Sequence, residues 1–186
     1  MADDSRVMTK VHQAYALGGR TDLASNKLDL WLKKFPDDWI VQVYKGQYLL
    51  QQGKIIEAEK QFQYVLDNAR DNVVALNNLA WIYYQQGKPE ALSLAEKAYA
   101  QNNQLPQVVD TYGWLLAENG KINQASEVMK RAVILAPTDL DVRYRMAVVL
   151  YRAGKPALAK QQLQSLIDSG QDFNSLPAAK ALLLKL

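Results

Sequence analysis

The sequence predicts an all-α protein built as a chain of helix pairs, and three observations carry that reading. Glycines recur at Gly19, Gly53, Gly87, Gly120 and Gly154, separated by 34, 34, 33 and 34 residues, and four of the five are followed by lysine. Seven residues before these glycines stand His12, Gly46, Ala80, Gly113 and Ala147, small in four of the five copies. Beyond each turn, Ala24, Ala58, Ala91, Ala125 and Ala159 supply a second small position. A period near 34 residues is that of a helix-turn-helix repeat. Each glycine ends a first helix, where it takes a left-handed conformation without the Cβ penalty of about 1 kcal/mol. Small residues facing each other let two antiparallel helices approach closely and interlock their larger neighbours.

The clearest copy runs from Ala75 to Lys88, where Leu76, Leu79, Ala80 and Tyr83 recur at helical spacing and Gly87-Lys88 closes the helix. From it the chain divides into an N-terminal extension at 1–4, repeats at 5–38, 39–72, 73–105, 106–139 and 140–173, and a capping helix at 174–186. Pro36 and Pro137 stop the second helices of two repeats, whereas Arg70, Gln104 and Gln171 stand at the matching places in the others. The third repeat is one residue short, and its intra-repeat turn holds the deletion, with Pro89 expected to start the following helix. Asp37-Asp38 and Asp139 with Asp141 precede first helices, where carboxylates cap free N–H groups. Trp31 and Trp39, flanking Phe35-Pro36, read as core. After the fifth repeat Ser175 is the expected N-cap of a helix that lays Leu182, Leu183 and Leu186 on the last pair. The first repeat opens at about Ser5 with no helix before it to cover its outer face, which suits the C-terminal piece of a longer array or a self-sufficient short one, or else pairing with a second copy to form a homodimer.

Composition removes several function classes. With 49% hydrophobic and 22% charged residues the chain forms a core rather than staying disordered. No run approaches the roughly 18–20 apolar residues that span a bilayer, so direct membrane insertion is not expected. The net charge of +3 arises from interspersed signs, and nucleic acid is not an expected partner. Cysteine is absent, which excludes disulfides and thiolate chemistry. His12 is the sole histidine and lacks the neighbours that a metal site or a catalytic base requires. No catalytic residue, metal site or cofactor is expected.

These residues together resemble the tetratricopeptide repeat family, with its small residue at position 8, large residue at 11, Gly at 15, Ala at 20 and Pro at 32. Position 11 is Tyr15, Leu49, Tyr83, Leu116 and Leu150, and position 24 is Leu28, Phe62, Ala95, Met129 and Leu163. The resemblance implies a right-handed α-solenoid of five repeats plus a capping helix. It also implies a non-enzymatic scaffold whose concave groove, lined by the first helices, binds an extended peptide of a partner protein. Groove positions are then Lys10 and Gln13; Tyr44, Gln47 and Gln51; Asn77, Asn78, Trp81, Tyr84 and Gln85; Asp110, Trp114 and Glu118; and Tyr144, Arg145, Tyr151 and Arg152. Asn78 carries an amide suited to a peptide backbone, and Trp81 and Trp114 stand at position 9 of consecutive repeats, where their faces suit a peptide side chain or a sugar. The family's clamp for chaperone C-terminal tails is missing: Thr9, Gln13, Tyr44, Val74 and Asn78 occupy its places. The phrases Ala75–Ala100, Val108–Gly120 and Asp141–Ile167 look most like the C-terminal end of repeat lipoproteins of exosortase and PEP-CTERM systems. That likeness implies an envelope scaffold in exopolysaccharide assembly or protein sorting, with a polysaccharide as the alternative ligand.

Overall fold

The five turn glycines all adopt positive φ, between 69° and 74° at Gly19, Gly53, Gly87, Gly120 and Gly154, in the computed structural model, which describes residues 2–186 and side chains from Asp4. In each turn the residue after the glycine donates its N–H to the carbonyl five residues back: Arg20 to Tyr15, Lys54 to Leu49, Lys88 to Tyr83, Lys121 to Leu116 and Lys155 to Leu150. This six-to-one bond closes a helix end that only a left-handed residue permits. Among the described residues there are eleven helices and no strand. They are α1 (Ala2–Leu17), α2 (Thr21–Lys34), α3 (Trp39–Gln51), α4 (Ile55–Asn68), α5 (Val73–Gln85), α6 (Ala91–Gln101), α7 (Pro106–Glu118), α8 (Ile122–Leu135), α9 (Leu140–Arg152), α10 (Pro156–Asp168) and α11 (Leu176–Leu183). None is long and apolar enough to cross a membrane. The chain forms two compact units that meet in sequence within α5, the first through Ile82 and the second from Tyr83 to Leu186.

In the first unit α1 packs on α2 and α3 on α4. Gly46 lets α3 approach α4 so closely that a Cβ there would stand 2.6 Å from the ring of Phe62, itself fully buried. Met8, Leu28 and Val41 form the core between the pairs, with Trp31, Leu32 and Tyr44 against it. Asp38 is the polar knot of the junction. Its side chain caps α3 at Val41 N, 3.2 Å away, and accepts 2.7 Å bonds from the Ser5 hydroxyl and Trp31 Nε1. Trp31 is therefore half-buried with its polar end satisfied, and Trp39 is half-buried with its ring 6.4 Å from that of Tyr64, so neither is a fully enclosed core residue. The first helix begins at Ala2, so residues 2–4 continue α1 instead of forming a separate extension; Met1 lies outside the described residues. Acidic residues near a helix N-terminus favour that continuation.

The second unit has its core around Val109, Leu116, Met129, Ala132, Val142 and Val149. Gly113 serves α7 as Gly46 serves α3, with Met129 Sδ 2.7 Å from where a Cβ would lie. Two expectations need correction. Pro89 does not start α6: Pro89 and Glu90 stay in the turn and the helix opens at Ala91, because the deletion leaves too little chain after Gly87. Ser175 makes no side-chain capping bond; Asp141, on the preceding first helix, accepts from Ser175 N at 2.8 Å and from Asn174 Nδ2 at 3.3 Å. Asp139 caps α9 as expected, at Val142 N, 3.0 Å. With its start tied to α9, α11 buries Ala179 against Ala147 and Leu163 and lays Leu182, Leu183 and Leu186 on the same cluster.

Candidate functional site

The first unit carries the candidates from Tyr44 to Trp81. Gln47 and Gln51 are exposed on α3, one and two turns beyond Tyr44. Tyr44 is half-buried and its hydroxyl lies 2.8 Å from Nδ1 of His12, so the phenol is held by α1. His12 occupies the place of a small residue and is fully buried, edge-on to Tyr44 and to Tyr48 with ring centroids 5.2 and 4.4 Å away. Burial holds its pKa below the ordinary 6.5, and its Nε2 has no hydrogen-bond partner. On α5, Asn77, Asn78 and Trp81 are half-buried. Asn78 spends a donor on its own helix, at Val74 O, 2.7 Å, which leaves its carbonyl as the group able to meet a ligand N–H. Asn77 buries its Oδ1 without a partner.

The second unit brings the remaining candidates together through contacts between successive first helices. Arg145 on α9 clasps Asp110 on α7 with two bonds, Nε to Oδ1 at 2.8 Å and Nη2 to Oδ2 at 2.6 Å. The side chains keep only 18% and 11% exposure, which makes this a largely desolvated pair. Burial pushes the Asp110 carboxyl above its usual range, more than the Arg145 guanidinium draws it down. Two turns along, Arg152 Nη1 meets Glu118 Oε1 at 2.6 Å, and the guanidinium carbon sits 5.4 Å from the centre of the Trp114 ring. Tyr84, at the end of α5, hydrogen-bonds with Trp114 and Glu118, and burial raises its pKa. Tyr144 is half-buried beside this set, its pKa likewise raised by burial.

These rungs join residues 35 and 34 positions apart in the same order along both helices, so α7 and α9 run parallel and present one face. Half-exposed aromatic rings and amides on such a face can hold a chain by ring contact and by its backbone N–H groups. Asp110, Glu118 and Arg145, expected as partner-binding residues of the groove, already carry contacts within the chain. Asp110 and Arg145 saturate each other, and Glu118 is shared between Arg152 and Tyr84. The sequence carries a signal for this in opposite charges about one period apart, Asp110 with Arg145 and Glu118 with Arg152. Among the described residues no group of three or more His, Asp or Glu could hold a metal ion.

Two family models, each described as tetratricopeptide repeat, match residues 44–106 and 116–186. Among curated proteins, the TPR repeat-containing protein PA4667 of Pseudomonas aeruginosa is 26% identical over 104 residues, 55% of this chain and 18% of that protein. The chain thus spans less than a fifth of the curated relatives it matches. Among solved structures, TTC0263, a thermophilic TPR protein of Thermus thermophilus, superposes with a TM-score of 0.71 at 21% identity, covering 97% of this chain and 99% of that one. YrrB, described as a TPR protein with an unusual peptide-binding site, superposes with a TM-score of 0.65 at 17% identity over 87% of this chain and 84% of its own. At such identities the likeness is one of fold.

Proposed function

Because the chain belongs to the tetratricopeptide repeat family, whose domains bind protein or peptide partners, we propose that it is a scaffold receiving an extended segment of a partner along its first helices. One observation carries the proposal furthest: in the second unit the half-buried Trp114 and Tyr144 stand on α7 and α9, which contact side by side through matched rungs, and the half-buried Tyr84 hydrogen-bonds with Trp114 and Glu118. A segment laid across them would meet a ring on each helix. In the first unit Tyr44, Gln47, Gln51, Asn77, Asn78 and Trp81 are the proposed counterparts, with the free carbonyl of Asn78 accepting from the partner's backbone. YrrB, whose fold this chain shares, is described as having an unusual peptide-binding site.

The test is partner capture by the wild-type chain, identification by mass spectrometry, and titration with the identified segment as a synthetic peptide. Trp81→Ala with Trp114→Ala should abolish that binding while far-UV circular dichroism and the melting midpoint stay near wild type. A large loss of stability would mean that these rings hold the fold instead. An envelope setting in polysaccharide assembly belongs to the same proposal; there, a glycan ligand would be retained by the wild type and lost by the double variant.

Self-association has its own supporting observation. On the first helix pair Val7, Met8, Val11, Trp31 and Phe35 line a cavity of about 330 Å³, and Val7 is 59% exposed. A concentration-dependent dimer in light scattering, removed by Val7→Glu, would establish it.

A further inference from the structure

The two arginines of α9 differ in how much of their donor set is already used. Arg145 spends both Nε and Nη2 on Asp110 and is mostly enclosed. Arg152 spends only Nη1, on Glu118, and its side chain keeps 37% exposure. Among the described residues nothing engages its Nε or Nη2. Glu118 and the Trp114 ring fix the guanidinium in place, so it stands as a positioned fork with two donors unspent. A positioned fork of that kind suits a carboxylate, which it can meet with two parallel charge-assisted bonds.

The surroundings share this sign. Since α7 and α9 are parallel, and Tyr84 places the end of α5 beside Glu118 near the end of α7, the turns after α5, α7 and α9 lie along one edge of the unit. Each of those turns carries a Gly-Lys pair; Lys88 is engaged over the Tyr83 ring, 4.2 Å from its centre, which leaves Lys121 and Lys155 as the lysines of the turns after α7 and α9. Among the described residues, Glu90 and the already paired Glu118 lie near these turns, and Glu127 of α8 is bound to Lys130 at 2.7 Å and also feels the charge of Lys155. Acidic residues gather at the opposite ends of the helix pairs, at Asp139, Asp141 and Asp172.

We propose that this turn edge, anchored by Arg152, docks an acidic extended segment of a partner protein. The proposal rests on the scaffold reading above and names the chemistry of its partner. One carboxylate closes on Nε and Nη2 of Arg152 beside Trp114 without displacing Glu118. Neighbouring helix pairs stand about 10 Å apart, and an extended chain rises about 3.3 Å per residue, so a second carboxylate about three residues away reaches Lys121.

The experiment is fluorescence anisotropy of the full chain with a labelled peptide bearing glutamate at every third position among alanine and leucine, against its glutamine counterpart. The glutamate peptide should bind about tenfold more tightly, with an affinity that falls as salt rises. Arg152→Gln should remove about that tenfold, and Arg152→Lys, which keeps the charge but loses the fork, should restore only part of it. Lys121→Gln should cost about two- to threefold. Failure of the wild type to bind the glutamate peptide, equal affinity for both peptides, or an unchanged affinity in a folded Arg152→Gln variant would each overturn the proposal. If the captured partner is retained by Arg152→Gln but lost by the double tryptophan variant, the acidic anchor fails while the scaffold reading stands.

Discussion

Replacing Gly46 by alanine puts a methyl carbon where the helix pair α3–α4 has no room for it. The new Cβ would lie 2.6 Å from Cε1 and 2.7 Å from Cζ of Phe62, against a comfortable carbon–carbon separation of about 3.5–4.0 Å. Roughly 1 Å must be found, and Phe62 is a rigid ring with no exposed surface through which to withdraw. Overpacking of this kind costs about 1–3 kcal/mol, while exchanging a mid-helix glycine for alanine returns about 1 kcal/mol of helix propensity. The net expectation is a destabilisation of about 1 kcal/mol, read by urea unfolding followed through far-UV circular dichroism. Gly113→Ala makes the internal comparison: its Cβ would meet Met129 Sδ at 2.7 Å, Met129 Cγ at 2.9 Å and Val128 Cγ1 at 3.2 Å, and because a thioether chain turns about its bonds where a ring cannot, its net cost should be smaller than that of Gly46→Ala. Phe62→Leu should relieve the first clash, so that Gly46→Ala and Phe62→Leu together cost less than the sum of the single changes by about 1 kcal/mol. A stabilising Gly46→Ala, strictly additive with Phe62→Leu, would refute the close approach of the two helices.

Two further outcomes follow from the polar contacts. Arg145→Met strands a buried carboxylate at Asp110 and should cost about 3–5 kcal/mol, whereas Asp110→Leu with Arg145→Met should be near neutral, because burial outweighs the pairing at Asp110. Glu118→Gln, in the more exposed pair, should change thermal stability by less than about 1 kcal/mol. His12 gives the first unit a pH dependence of definite sign. Its folded-state pKa lies below the unfolded 6.5, so the unfolded chain takes up the proton first. Stability is therefore complete above 6.5 and falls as pH drops through it toward the folded value. The melting midpoint should decline on acidification from neutral more steeply in the wild type than in His12→Leu; equal slopes would remove His12 as the cause.

The turn glycines and the caps at Asp38 and Asp139 were legible in the sequence because each depends on residues a few positions apart, and the period and the small helix-contact positions were legible because the same local pattern recurs every 33 or 34 residues. A left-handed glycine, a carboxylate one turn before a free N–H, or a small residue at helical spacing announces its role locally. Even the places of Tyr84 and Trp114 on their helices follow from that local rule. Only the tertiary structure decided which of those side chains remain available to a ligand. Asp110 meets Arg145, Glu118 meets Arg152, His12 meets Tyr44 and Asp141 ties down Ser175 across 35, 34, 32 and 34 residues. Each such contact joins one helix pair to the next, and its existence depends on the rotation and shift between successive pairs, which no single repeat encodes. Residue types set which groups could pair; the stacking of repeats set which of them did, and left Arg152 with half its fork open.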